Sequence, residues 1–411
     1  MSDTLKKIAD NLGVTTINGN YLSGIADYYG VDLATSTDLM ADILTEVGGN
    51  PATSTDYLQD IVLVLGGTEP VNGNWMEAWE AITGTPPAPV NTVAPALSYV
   101  YRYEGETVTT DDGTWDNSPT SFTYQWYRDA TPISGETLNQ YSLGAPDVDK
   151  YVSCEVTAIN AGGSATEPSN AIYVFDYDYG QVYYYYEDTA EDIGILQNQF
   201  MLAIKAAGVW AKLDVLCVFR GSGDGNALVD WKRYIEVTNI DCTFDTTQGF
   251  IGDASIPAYI DTGFDATAGI NFTQNNASRY FFPYAFSGTG PMDGSIQGGG
   301  GSRNKMLLNN STDHKINQNG TVPLSSTFQY TTTVEPKSIH RTSATDVTLF
   351  NGTTSANRTA VSFALTGVNL YILRDTNDYA DHTVAAYAAG ASMVAENTAF
   401  LAAWNTYITA L

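Results

Sequence analysis

Basic side chains are scarce in the first half of this 411-residue chain: residues 1–200 hold five Lys/Arg against 29 Asp/Glu. A face that grips phosphate needs clustered cations, so this half is excluded as a binder of nucleic acid or of an anionic membrane. The second half is nearer balance, with 13 Lys/Arg and 17 Asp/Glu, and the whole chain has a formal charge of −28. Cysteine is as sparse. Cys154, Cys217 and Cys242 stand far apart with no CxxC pair, which excludes a disulfide framework. Cys217 and Cys242 could still meet in space, but buried free thiols from a reducing cytosol are the simpler expectation. No apolar run approaches the roughly 20 residues that span a bilayer. The opening MSDTLKKIADNLGV lacks the apolar core and cleavage pattern of a signal peptide. Synthesis in a cytoplasm, without an export signal, is expected.

What is present points to a folded, mainly β, multidomain protein. Hydrophobic residues make up 43% of the chain and tyrosine is frequent at 27 residues. Recurrent clusters of Gly, Thr, Ser and Asn favour short strands joined by turns. Residues 1–85 differ. Gly13, Gly30, Gly48, Gly66 and Gly84 recur at a step of 17 or 18, as do Ile8, Ile25, Ile43, Ile61 and Trp79. A fixed period marks an internal repeat. Starts such as Ser36-Thr37-Asp38 suit a helix N-cap, and apolar positions such as Met40, Ile43 and Leu44 follow helical spacing. Each unit reads as a short amphipathic helix and a turn, which must stack on its neighbours. Docking on a larger assembly is the expected task. Residues 86–94, beginning Pro86-Pro87-Ala88-Pro89, read as a semi-rigid linker.

Residues 95–175 alternate with period two. Phe122, Tyr124 and Trp126 fall on one face, and Val152, Cys154 and Val156 repeat the pattern. Asp112-Gly113-Thr114-Trp115, Tyr124-Gln125-Trp126-Tyr127-Arg128-Asp129, Thr131-Pro132-Ile133-Ser134-Gly135, Asp147-Val148-Asp149-Lys150 and Val156–Gly163 carry a resemblance. The stretch resembles the bacterial and phage immunoglobulin-like modules. That implies a β-sandwich with Trp126 as the core tryptophan of the third strand, in an adhesion or spacer module. Two departures stand out. Cys154 has no cysteine partner in the earlier strand, where Val108 or a neighbour would sit, and Tyr151 lies out of register for a tyrosine corner.

Residues 176–209 are expected as a tyrosine-rich and helical connector, with a helix over 189–207. From 210 the pattern is β again. Leu213–Phe219 is a nearly continuous apolar run, and Arg279–Phe286, Lys305–Asn309, Asp346–Phe350 and Val368–Arg374 are further strand candidates. Phe400, Trp404, Tyr407 and Leu411 form a helical stripe that should pack back on the sheets. Leu213-Asp214-Val215-Leu216, Tyr259-Ile260-Asp261-Thr262-Gly263-Phe264, Asn271-Phe272-Thr273, Arg341-Thr342-Ser343 and the C-terminal helix resemble the concanavalin-like, laminin-G-like jelly roll of phage fibre and appendage proteins. That resemblance spans most of 210–411 and implies carbohydrate or host-surface binding.

Catalytic patterns are missing. The ExDxE and ExDxxE spacings of jelly-roll glycosidases, which set an acid and a nucleophile in one cleft, do not occur. His314, His340 and His382 are isolated, without HExxH. There is no GxSxG elbow, and Gly298–Gly301 lacks the Lys-Ser/Thr of a phosphate cradle. No enzyme activity and no cofactor are expected. Ca²⁺ at Asp224 and Asn226 is the alternative, outweighed by a polar turn because Ca²⁺ takes about 6–8 oxygens. Candidate ligand contacts are Tyr183 and Tyr185, whose rings could stack on sugars, Asp224 and Asn226 in a polar loop, and Arg303 and Asn304 after the glycine run. For Tyr183 and Tyr185, packing in a domain interface is the favoured alternative.

These readings converge on a bacteriophage virion protein: a head fibre, capsid decoration or tail-associated adhesin. It would dock on other virion proteins by its N-terminal repeat and touch host surface or glycans by its C-terminal domain. A homo-oligomer, a trimer by analogy with appendages, is expected. The alternatives are a purely structural capsid or tail component and, less favoured, a polysaccharide-degrading enzyme.

Overall fold

The computed structural model describes residues 21–29, 40, 43, 87–99, 102–185, 191–221, 227–287, 290–296, 303–308, 317–318, 334–359, 365, 367–374 and 379–411. The chain divides into two compact units, Met1–Val174 and Phe175–Leu411. The described residues of both are mainly in antiparallel β-sheets. No helix among the described residues is long and apolar enough to cross a membrane.

Within the first unit, α1 (Tyr21–Tyr28) buries Ile25 and Ala26. Ile43, 18 residues beyond Ile25, is also helical and buried. The remaining repeat positions lie outside the described residues. β1 (Val90–Val93) pairs with β4 (Thr114–Asp116). The expected linker therefore contains a strand. Its proline segment is also tied down: Asn160 Nδ2 donates to the Pro87 carbonyl at 2.9 Å, and Asn117 Nδ2 to that of Ala88 at 2.8 Å. Proline lacks an N–H but keeps its carbonyl, and Asn160 uses that of Pro87.

Two further sheets face each other in this unit. One runs β2 (Leu97–Ser98), β3 (Thr107–Thr110), β7 (Gln140–Ser142). The other runs β10 (Ile172–Val174), β8 (Lys150–Asn160), β5 (Ser121–Arg128), β6 (Thr131–Pro132), with β9 (Gly163–Pro168) also on β8. Leu97, Val108 and Tyr141 meet Trp126, Val152, Cys154 and Val174 in one apolar cluster, so the pair is a sandwich. Period two explains it: Val152, Cys154, Val156 and Ala158 are all buried along β8. Trp126 stacks on Tyr141 at 5.4 Å and donates its Nε1 hydrogen to the Leu138 carbonyl at 2.8 Å. The Cys154 thiol, pushed up to about 11 by burial, stays neutral.

A buried carboxylate locks the end of this sandwich. Asp147 is fully buried and accepts from Arg128 Nε at 2.6 Å, Gly144 N at 2.8 Å and Tyr141 OH at 2.9 Å. The nearby Lys150–Asp129 pair, at 3.0 Å, leaves both side chains 44–45% exposed.

The second unit has three layers. Its large sheet runs β13 (Ile235–Glu236), β12 (Val229–Asp230), β11 (Leu213–Val218), β26 (Thr383–Gly390), β18 (Ala277–Ala285), β22 (Lys337–Arg341), β23 (Asp346–Asn351), β24 (Thr354–Thr359). β16 (Gly249–Ile251) also pairs with β26 and carries β15 (Thr243–Asp245). The smaller sheet runs β14 (Thr238–Ile240), β17 (Tyr259–Asp265), β25 (Asn369–Ile372), β19 (Gly290–Ile296), β20 (Arg303–Leu308), β21 (Asn317–Gln318). Val215, Phe281, Ile339, Leu349 and Tyr387 of the first meet Ile260, Phe264, Met292, Leu370 and Ile372 of the second in one core.

The other face of the large sheet is covered by helices. α2 (Tyr177–Tyr185) and α3 (Glu191–Ala206) lie in the stretch expected as a helical connector, and α4 (Asn397–Ala410) is near the C-terminal end of the second unit. Phe400 lies 4.9 Å from Tyr280 and Trp404 4.7 Å from Phe282, while Phe200 of α3 stacks on Tyr407 at 5.5 Å. Each such ring buries enough apolar surface to stabilise the unit by about 1.5–3 kcal/mol. β26 is buried at every position because both faces are covered. At its end only glycine fits: a Cβ on Gly390 would come within 2.0 Å of the Lys212 carbonyl oxygen. Cys217 and Cys242 are both free thiols, so they form no bridge.

His340 sits under α4 in this layer. The Met393 N–H donates to its Nδ1 at 3.1 Å, so the neutral ring carries its proton on Nε2 and donates to Ser338 Oγ at 2.9 Å. Burial pulls its pKa from 6.5 down to about 3.

Asp147→Asn should destabilise the first unit by about 2–3 kcal/mol in denaturant titrations, since it strips a buried charge from an Arg only 28% exposed. Lys150→Gln should change it by less than about 1 kcal/mol. His340 is held neutral in the fold, so its contribution is whole above pH 6.5 and is lost as pH falls toward 3. The acid-side slope attributable to it approaches about 1.4 kcal/mol per pH unit. His340→Gln should flatten thermal melts recorded from pH 7 to about 4, and an unchanged slope would contradict the assignment.

Candidate functional site

Among the described residues, the outer face of the smaller sheet brings aromatic, guanidinium and carboxylate groups together. Alternation along β17 buries Ile260 and Thr262 and turns Tyr259, Asp261 and Gly263 outward. Along β25, Leu370 and Ile372 are buried while Asn369 and Tyr371 are half-buried on the same outer face. The register sets Asp261 opposite Tyr371. Asn369 Nδ2 donates to Asp261 Oδ1 at 2.9 Å.

The alternation breaks one residue past β25. Leu373 has φ +67° and is fully buried in the core. A bulky residue in the left-handed region is strained by about 1–3 kcal/mol, a cost that core burial offsets. Beyond this turn Arg374 bridges Tyr379. Its guanidinium lies 4.2 Å from the Tyr259 ring centroid, 4.8 Å from Tyr371 and 5.6 Å from Tyr379. Tyr259 also meets Tyr371 edge-on at 5.5 Å. Partial burial, and then Asp261, push the Tyr371 phenol above its usual pKa, so it stays a neutral donor. Three aromatic faces, a guanidinium and an acid–amide pair thus share one patch. Aromatic faces pack against the C–H faces of sugar rings, while fork-like donors and carboxylates take hydroxyls.

A second concave region of about 430 Å³ lies beside Asp214, Lys232, Arg233 and Phe264. Its polar groups are already engaged. Asp214 accepts from the Phe272 N–H at 2.6 Å and the Asn271 N–H at 2.9 Å. Arg233 Nε donates to the fully buried Asp230 at 2.5 Å, and Lys232 Nζ donates to the Trp210 carbonyl at 3.1 Å. It is a clamp on the 269–272 loop more than an open site.

Of the ligand contacts expected from sequence, Tyr183 is the one whose side chain is described. Tyr183 is on α2, its ring 4.7 Å from Phe175, in an aromatic cluster with Tyr179. Tyr185 ends the same helix, and Arg303 and Asn304 open β20. The side chains of these three lie outside the described residues, as do Asp224 and Asn226. Among the described residues no group of three His, Cys, Asp or Glu is arranged to hold a metal. Tyr259, Tyr371, Arg374 and Tyr379 were not singled out as ligand contacts in the sequence. The usable signal is the pair of alternating runs Tyr-Ile-Asp-Thr and Asn-Leu-Tyr-Ile, which turn aromatic and polar side chains to one face.

Neither a family model nor a curated protein matches the chain. Among solved structures, the binding domain of botulinum neurotoxin serotype D is similar at 13% identity and TM-score 0.33, covering 48% of this chain and 52% of that one. Domain 4 of an extracellular arabinanase from Geobacillus stearothermophilus, solved with arabinotriose, is similar at 14% identity and TM-score 0.27, covering 46% of this chain and 98% of that one. Trypanosoma rangeli sialidase with sialic acid gives 10% and 0.30, covering 76% and 53%. The chain spans about half the length of the neurotoxin domain and of the sialidase. Likenesses this distant carry no argument about the site.

Proposed function

We propose that this chain is a non-catalytic adhesion protein that binds carbohydrate through the outer face of its smaller C-terminal sheet, as an appendage of a bacteriophage particle. The observation that carries the binding claim is Arg374 set among Tyr259, Tyr371 and Tyr379, beside Asp261 and Asn369. Strain at Leu373 supports it, since a strained turn persists where the surrounding fold holds a side chain in place. Weak binding at such a face would gain strength from many copies.

The virion setting rests on the sequence resemblances. The immunoglobulin-like reading is supported by Val108, Trp126 and Cys154 sharing one core, with valine where antibody domains place a cysteine. The jelly-roll reading is supported by two antiparallel sheets closed on one core with a terminal helix outside. The N-terminal repeat is the docking module in this account, and a homo-oligomer supplies the copies. Mass spectrometry of purified phage particles tests the setting, and absence of the chain from every particle fraction overturns it.

Binding is tested by passing the full chain over immobilised bacterial surface polysaccharides and a glycan array. At least one polysaccharide should retain it. Arg374→Ala and Tyr371→Ala should each weaken retention by about tenfold, close to what a desolvated cation–aromatic contact contributes. Tyr151→Ala, an exposed tyrosine of the first unit, should leave retention unchanged. A chain that no polysaccharide retains would stand as a purely structural component. Release of new reducing ends would make it an enzyme.

A further inference from the structure

A cleft of about 490 Å³ opens between α4 and the end of the large sheet, away from the tyrosine face and independent of it. Its volume falls within the roughly 300–1,000 Å³ of small-molecule sites. One wall is helical and apolar, with Leu401, Trp404 and Ile408 one helical turn or less apart. The opposite wall ends in Tyr284, 39% exposed at the last turn of β18.

Polar groups converge on this space. The Arg220 guanidinium carbon lies 5.4 Å from the Tyr284 ring centroid. Its Nε is buried and has no hydrogen-bond partner among the described residues. Its backbone is fixed on both sides: the Arg220 N–H donates to the Ala385 carbonyl at 3.1 Å, and the Tyr407 hydroxyl donates to the Arg220 carbonyl at 2.7 Å. The guanidinium is thus anchored at its root and has a donor left over. Glu335 and Asn405 line the same cleft.

The charges select the ligand class. One cation and one carboxylate leave the cleft near neutral, and the chain as a whole carries −28. A polyanion would be repelled, and a purely apolar ligand would leave the Arg220 donor buried and unpaired. A neutral saccharide ring offers hydroxyl acceptors to Arg220, hydroxyl donors to Glu335, and a C–H face to Tyr284. The geometry points to a second carbohydrate site here, taking one or two neutral sugar rings between Arg220, Glu335 and the aromatic pair Tyr284 and Trp404. The tyrosine patch lies on the outer face of one sheet and this cleft beyond the other, so one C-terminal unit offers two binding directions.

The test is tryptophan fluorescence of the full chain titrated with glucose, galactose, N-acetylglucosamine, maltose and lactose up to about 50 mM, beyond the millimolar Kd of a weak single site. At least one sugar should give a saturable change, because Trp404 lines the cleft. Trp404→Phe should remove most of that signal. Arg220→Gln should raise the Kd by about tenfold. Asn405→Trp should block the cleft, and it keeps the test decisive if Arg220→Gln fails to fold. Arg374→Ala should leave this titration unchanged, which separates it from the tyrosine face. No saturable change with any of these sugars, or a change that survives Asn405→Trp, overturns the second site.

Discussion

Covering β26 on both faces is the constraint on which the second unit depends. All eight of its residues are buried, and Val384, Tyr387 and Ala389 join the core shared with the facing sheet. A strand in that position cannot carry large side chains on its helix side, because α4 already sends Phe400 and Trp404 to Tyr280 and Phe282 of the adjacent β18. Ala386 and Ala388, paired with those two residues, leave the room. Removing apolar surface from water on both faces makes this strand the stiff centre. Function is therefore expected at the margins: the outer face of the smaller sheet and the seam beside α4.

The first unit solves the same problem at smaller scale. Its sandwich has no disulfide across it. Val108, Trp126 and Cys154 pack instead, and Asp147 gathers Arg128, Tyr141 and the Gly144 N–H at one end. Both carboxylate oxygens accept hydrogen bonds, the condition under which burying an ion is tolerated.

How much of this was legible depended on residue type. Period two in Val152, Cys154 and Val156 shows in the sequence because the side chains are apolar and branched or compact, and all three are buried. Leu213–Val218 and Asn397–Ala410 show for similar reasons: a continuous apolar run and a helical stripe. β26 does not, since Thr-Val-Ala-Ala-Tyr-Ala-Ala-Gly has the alanine content of a helix and its strand state comes from tertiary packing. β22 is hidden too, because Lys337, Ser338, His340 and Arg341 are polar residues buried by context. The tyrosine-rich stretch before 186 reads either as a sugar-stacking surface or as packing, and composition does not separate the two; Tyr179 is buried and Tyr183 packs on Phe175. The tyrosine–arginine patch was the least legible feature, because its residues are separated by up to 120 positions and meet through the β17–β25 register and the left-handed turn at Leu373.

Amide hydrogen exchange on the full chain, alone and with a polysaccharide that retains it, tests the central claim most directly: a rigid, doubly covered middle layer displaying a preformed binding face. The account requires Val384–Ala389 to exchange slowest in both states and to be unmoved by the polysaccharide, with new protection confined to 259–261, 369–374 and 379. Exchange that changes within β26 on binding, or leaves the β17–β25 face untouched, contradicts it.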